Sequence, residues 1–273
     1  DFLLTKTEQE MIVKFTDAFH KKNKKIVVVL NIGGVIETES WKHLPDAMLL
    51  AWQGGQEGGN SVVDILSGKI TPSGKLPVTF PKSLSDHSSH SNFPKNPKMT
   101  TINGLVKDLI FPPSEAPEKL KVKDEDYTIY EEGIFVGYRH FDTKDLAVSF
   151  PFGFGLSYTD FEYGPMETKI DNDTIHISLN IKNVGQFPGK EVVQFYSEKI
   201  NSTIERPLQE LKAFAKTKLL KSDEITRISV KIAIKELGYW DEKVNNWSIE
   251  NGSYRIKVGG SSRNIKQTSK ISL

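Results

Sequence analysis

The chain has 273 residues, 37% of them hydrophobic and 26% charged, enough for two globular domains. Its net charge of +1 gives no electrostatic case for nucleic acid or an anionic membrane surface, and no apolar run approaches the ~20 residues of a membrane span. The lack of cysteine excludes disulfides, thiolate metal sites and cysteine nucleophiles, but does not fix the compartment.

In chain order, Thr5-Lys6-Thr7-Glu8 is a capping box with Thr5 as N-cap. Met11, Ile12, Phe15 and Phe19 follow at helical spacing, so Thr7 to His20 is predicted as an amphipathic helix. The lysines from Lys21 to Lys25 complement its macrodipole better than they form a polyanion patch. Ile26 to Asn31 is continuous and β-branched, the pattern of a parallel strand buried on both faces, and Ala47 to Trp52 is predicted as a second strand. The glycine-dense turn from Gln53 to Asn60 then leads into a helix expected from Ser61 to Leu66. In open α/β sheets, such a turn at the carboxyl end of a strand is where ligands sit.

Two parallel strands are too few for a stable doubly wound sheet, so at least one more strand is expected upstream of Asp1. From Ser83 to Asp126 the composition turns to Ser, His, Asn, Pro and Lys, which predicts a surface insert pinned by the apolar cluster Leu105, Val106, Leu109, Ile110 and Phe111. Structure is expected again at Tyr127 to Tyr130 and at Ile134 to Phe141. Beyond Phe161 the period becomes two, in Thr174 to Ile181, Glu191 to Tyr196, Ile225 to Ile232 and Gly252 to Val258. That alternation, with turns between, predicts an immunoglobulin- or fibronectin-like antiparallel sandwich. Sequons stand at Asn172, Asn201, Asn246 and Asn251, a pattern common by chance.

Five motifs occur in one order. They are the Gly-rich run Trp52 to Gly59; Thr71 to Pro81 (TPSGKLPVTFP); Tyr130 to Asp142 (YEEGIFVGYRHFD); Phe150 to Thr159 (FPFGFGLSYT); and Asn183-Val184-Gly185 with Gly189 to Gln194 and Arg206 to Lys212. Together they resemble the C-terminal portion of family 3 glycoside hydrolases, the β-glucosidase family. The resemblance implies an α/β sandwich domain over residues 1–160, its N-terminal part missing and carrying the 83–126 insert, and a fibronectin type III-like domain over 161–273. The fold class is thus α/β followed by all-β, a partial, mainly parallel α/β sandwich and an antiparallel sandwich. It implies an exo-acting retaining β-glycosidase, most simply a β-glucosidase acting on terminal non-reducing β-D-glucosyl residues of a glucoside or β-linked gluco-oligosaccharide. The aspartate nucleophile belongs to an N-terminal barrel, covalent or on a separate chain, and the acid/base glutamate to a loop upstream of Asp1. By this resemblance the chain holds no catalytic residue and forms one wall of the cleft, through the loops Asn31 to Trp41 and Trp52 to Asn60.

Within that wall Trp52, Gln56 and Glu57 are the candidate substrate-binding rim. Each has a plainer reading: Gln56 and Glu57 can bond the turn and cap the helix from Ser61, and Trp52, like Trp41, can be core at a strand end. Glu131 and Glu132, taken as adjacent on a strand, would point to opposite faces and cannot share one site. His87 and His90 lack a third partner, so no metal site is expected; no cofactor, nucleic-acid or membrane partner is called for either. The Gly-rich turn lacks the Gly-Lys-[Ser/Thr] of a P-loop, which argues against nucleotide. A homo-oligomer stays open, a periplasmic or secreted location is favoured over a cytoplasmic one, and the alternative to an enzyme portion is a non-catalytic carbohydrate-binding or interaction module.

Overall fold

The computed structural model describes residues 2–92 and 130–273; the expectations for Leu105 to Phe111 and for Tyr127 to Ile129 lie outside the described residues. Helix α1 (Lys6–His20) starts as its capping box dictates, with Thr5 N donating to Glu8 Oε2 at 2.8 Å and Glu8 N to Thr5 Oγ1 at 3.3 Å. Its apolar stripe is split: Ile12 and Thr16 are buried, whereas Met11, Phe15 and Phe19 are exposed. Strand β1 (Val27–Leu30) runs parallel to β2 (Ala47–Leu50), with Val27 opposite Ala47 and Leu30 opposite Leu50. Val28 and Leu30 pack with Ile12, Ile36 and Trp41 in a small core.

Two strand expectations need correction. Strand β1 is not buried on both faces, because successive residues alternate and Val27 and Val29 stay 41% and 39% exposed. A mainly parallel sandwich is not what the described residues form: β1–β2 is their one parallel pair, and every other pair is antiparallel. The long connection after β2, which carries a helix, does not return a strand to this pair; it leads to a short strand, Phe80–Pro81, that pairs antiparallel elsewhere. The described residues are mostly β, with few helices.

After β2, helix α2 (Gly58–Leu66) begins at Gly58 rather than Ser61. The segment Pro72 to Pro77 then lies along Gly153 to Gly155, joined by Leu76 N to Phe154 O and Gly153 N to Leu76 O, both 2.8 Å. Two of the sequence motifs are thus one piece of structure. Short strands β3 (Phe80–Pro81) and β4 (Val148–Phe150) pair antiparallel, and between them in sequence lies helix α3 (Tyr138–Thr143).

The remaining chain is a two-sheet antiparallel sandwich. One sheet joins β7 (Thr174–Asn183) to β10 (Ile225–Ala233) on one side and to β5 (Phe161–Tyr163) and β6 (Glu167–Asp171) on the other. The second has the order β14 (Asn264–Ser272), β13 (Ser253–Ser261), β8 (Val192–Lys199), β9 (Glu210–Lys216). The period-two alternation does what it predicts: Ile175, Ile177, Leu179 and Ile181 of β7 all point inward, against Val193, Phe195, Ile256 and Val258. Each such burial contributes about 1.5–3 kcal/mol relative to exposure. A separate hairpin pairs β11 (Tyr239–Asp241) with β12 (Asn246–Ser248).

Candidate functional site

The candidate site is built on the turns that leave the carboxyl ends of β1 and β2. At the second turn Trp52 is half-buried and has φ 53°, with its ring 6.3 Å from that of Phe80. Phe80 is fully buried and meets Phe150 edge-on at 6.2 Å, so the turn leans on β3 and β4. Gln53 reaches across to the first turn: a Cβ placed on Gly33 would lie 2.7 Å from Gln53 Nε2. Glycine at 33 leaves room for that amide.

Glu57 and Gln56 are both exposed. Glu57 is the N-cap residue of α2, yet its side chain makes no capping hydrogen bond; its Oε2 accepts from Asn60 Nδ2 at 2.5 Å. Its backbone oxygen accepts from Ser61 Oγ at 3.0 Å. The plainer reading of a capping carboxylate is therefore half right: the position is a cap, the side chain is not. Trp41 is a core residue, 3% exposed, with Nε1 donating to Glu37 O at 2.9 Å.

The connection after β1 carries two further carboxylates. Glu37 is buried and held within its own turn, Oε1 accepting from Ser40 N and Oε2 from Ser40 Oγ, both at 2.7 Å. Glu39 sits between Lys42 and Lys82, at 2.6 and 3.0 Å, and these cations, Lys42 first, hold its carboxyl below the usual carboxylate range. The same connection is tied to β4 by Thr38 Oγ1 and Ser149 Oγ, 2.7 Å apart in a buried contact. Both glutamates are spoken for by their own surroundings and serve the shape of the loop.

The other candidates fall elsewhere. Glu131 and Glu132 lie in a turn, not a strand, so the argument from alternating faces does not apply to them. His87 packs edge-on against Phe141 at 5.7 Å; burial pushes its pKa down, and His140 and His90 push the same way. No group of three or more His, Asp or Glu able to hold a metal occurs among the described residues. Sequence reasoning missed Gln53, Gly33 and Phe80. The paired glycines at 33 and 34 were a signal of close approach, but nothing in the sequence named what approaches.

With this geometry in view, comparison with known proteins is direct. Residues 1–138 match the glycosyl hydrolase family 3 C-terminal domain and residues 191–262 the fibronectin type III-like domain. The chain belongs to glycosyl hydrolase family 3. It is 36% identical over 276 residues to a β-glucosidase of Rhizobium radiobacter, covering 100% of this chain and 30% of that protein. It is 34% identical over 252 residues to an exo-α-(1→6)-L-arabinopyranosidase of Bifidobacterium breve, covering 92% of this chain and 30% of that protein. The solved structure of β-glucosidase 3B from Thermotoga neapolitana in complex with glucose is similar over 100% of this chain and 34% of its own, with TM-score 0.85 and 38% identity. The chain thus spans about 30% of the length of the curated relatives it matches.

Proposed function

We propose that the chain is the C-terminal portion of an exo-acting retaining β-glycosidase of the β-glucosidase type. The carrying observation is the match of 100% of the chain to 30% of the length of a β-glucosidase. In this reading the remaining length supplies an aspartate nucleophile and a glutamate acid/base, since retaining hydrolysis needs two carboxylates about 5 Å apart. This chain supplies a wall of the cleft, with Trp52, Gln56 and Glu57 at its rim. The exposed side chains of Gln56 and Glu57, the latter with Oε1 outside its bond to Asn60, suit hydrogen bonds to sugar hydroxyls, and a half-buried indole suits a pyranose face. We further divide the chain at about residue 160, into a family 3 α/β domain and a fibronectin-like domain. The exposed side chains of Val27 and Val29 support the N-terminal portion packing over the outer face of the β1–β2 pair.

The test compares this chain alone with the chain joined to the N-terminal portion that its relatives carry, on an aryl β-D-glucoside. The expected result is no turnover for the chain alone and turnover for the whole. Normal hydrolysis by the isolated chain would refute the placement of both carboxylates elsewhere. A whole protein that binds glucosides without cleaving them would instead mark a non-catalytic carbohydrate-binding module. An aryl α-L-arabinopyranoside belongs in the same assay, because the Bifidobacterium breve relative is almost as similar as the glucosidase, at 34% against 36% identity.

A further inference from the structure

Seven described non-glycine residues have positive φ; six are Asn or Asp, and the seventh is Trp52. Asparagine and aspartate tolerate the left-handed region, whereas a bulky side chain there is strained and persists only where its surroundings over-determine it. At Trp52 those surroundings are on the page. The indole is held by Phe80, which is held by Phe150 of β4, the strand whose Ser149 is bonded to Thr38. The bend sends the next residue, Gln53, back over Gly33, into space that a methyl group at 33 would occupy. A Cβ on Gly54 would likewise lie 3.0 Å from Gly58 Cα, so the turn is closed tightly onto the start of α2.

We propose that Trp52 is a positioning residue: its ring, anchored on Phe80, holds the left-handed backbone that lays Gln53 over Gly33, and so fixes the turns after β1 and β2 as one rim of the substrate cleft. This rests on the glycosidase reading for its consequence, but not for the weld of the two turns itself. The weld belongs to the free protein and is readable without substrate. Its role is to fix the spacing between the two loops that face the sugar, so its loss shows first in substrate affinity.

The test uses five variants of the full-length protein: Trp52→Asn, Trp52→Phe, Gly33→Ala, Gln53→Ala and the Gly33→Ala/Gln53→Ala double. Asparagine accepts the φ without strain and removes the ring; phenylalanine keeps both strain and ring, and guards against reading misfolding as function. Amide hydrogen exchange is followed over residues 31–36 and 51–58, alongside KM and kcat on an aryl β-glucoside. Trp52→Asn should speed exchange in both stretches about tenfold and raise KM by a similar factor, with kcat less affected; Trp52→Phe should stay within about twofold. Gln53→Ala should raise KM; Gly33→Ala, whose methyl displaces only the movable end of Gln53, should raise it less, and the double variant should be no worse than the worse single one, since both disturb the same approach. Unchanged exchange over 31–36 in Trp52→Asn overturns the weld, as does a double variant whose effects multiply. Faster exchange with unchanged KM overturns the positioning role. If the parent protein cleaves no glycoside while the exchange results hold, the glycosidase reading fails and the weld stands.

Discussion

Asp46 shows how much structure one side chain can hold. It stands just before β2 and accepts from Lys25 Nζ at 2.7 Å and from Ile26 N at 2.9 Å, and its Oδ2 lies 2.9 Å from His20 Nε2. It therefore fastens the end of α1 and the entry to β1 onto the second strand. Those bonds, Lys25 first, hold its carboxyl well below the usual aspartate range. A carboxyl lowered in the folded state stabilises the fold above its unfolded pKa of about 4, and that contribution disappears as pH falls toward the folded value. Asp46→Asn should accordingly lower Tm at pH 6–7, with the two curves converging as pH drops below about 4. A constant Tm offset down to pH 3 would show that Asp46 acts by shape rather than charge. None of this was legible in the sequence, because Lys25 and Asp46 are far apart in the chain and meet only once β1 and β2 have paired. Glu57 was half legible for a related reason: a cap position follows from the Gly-rich turn, but whether its carboxylate caps depends on a side-chain direction that the adjacent Asn60 decides.

At the scale of elements, alternation was the dependable signal. Strands β7, β8, β10 and β13 lie where period two put them, because each turns an apolar set into the sandwich and a slip of one residue would expose it; β8 is buried on its other face too, where Tyr196 meets Tyr138 and Gln194 Nε2 donates to Gly153 O. Helix α1 was legible from its capping box, a local device. The parallel sheet was not, because a run such as Ile26 to Asn31 says that a strand is apolar, not how many neighbours it finds. The β11–β12 hairpin was missed altogether. It pairs with no other strand among the described residues, and Trp240 stands directly opposite Trp247 with ring centroids 5.9 Å apart at 79°. An isolated hairpin is marginal in water, and an edge-to-face aromatic pair adds about 0.5–1.5 kcal/mol beyond its buried area. Trp247→Ala should therefore open residues 239–248 to rapid hydrogen exchange while leaving the sandwich melting within about 2 °C of the parent. A large fall in Tm would show the hairpin to be part of the sandwich core.

At the scale of the whole molecule, the question is whether the sandwich and the preceding part act as one body. Helix α3 answers it. Arg263, in the turn between β13 and β14, donates to Asp142 Oδ1 at 2.8 Å, to Phe141 O at 3.1 Å and to Leu146 O at 2.8 Å. Gln209 Nε2 donates to Asp142 Oδ2 at 3.2 Å, Leu208 N to Thr143 Oγ1 at 2.8 Å, and Leu211 N to Tyr138 OH at 2.8 Å. The ring of Tyr138 stacks on Phe152 at 4.6 Å, and Phe152 O accepts from Ser262 N. The family-3 motif around Tyr138 to Asp142 is thus a clasp on the sandwich. Asp142 is only 6% exposed, so removing its cation strands a buried carboxylate; because Arg263 is itself 30% exposed, the cost is about 2 kcal/mol rather than the 3–5 of a fully buried pair. Calorimetry of the parent should show one cooperative transition. Arg263→Ala should lower it and split off a weaker first transition, as residues 2–150 lose their hold on the sandwich, while Asp142→Asn, which leaves an acceptor for Arg263 and no stranded charge, should do less. If Arg263→Ala melted in a single transition at the parent temperature, the clasp would contribute no coupling, and the rim built on β1 and β2 would owe its position to contacts other than those through α3.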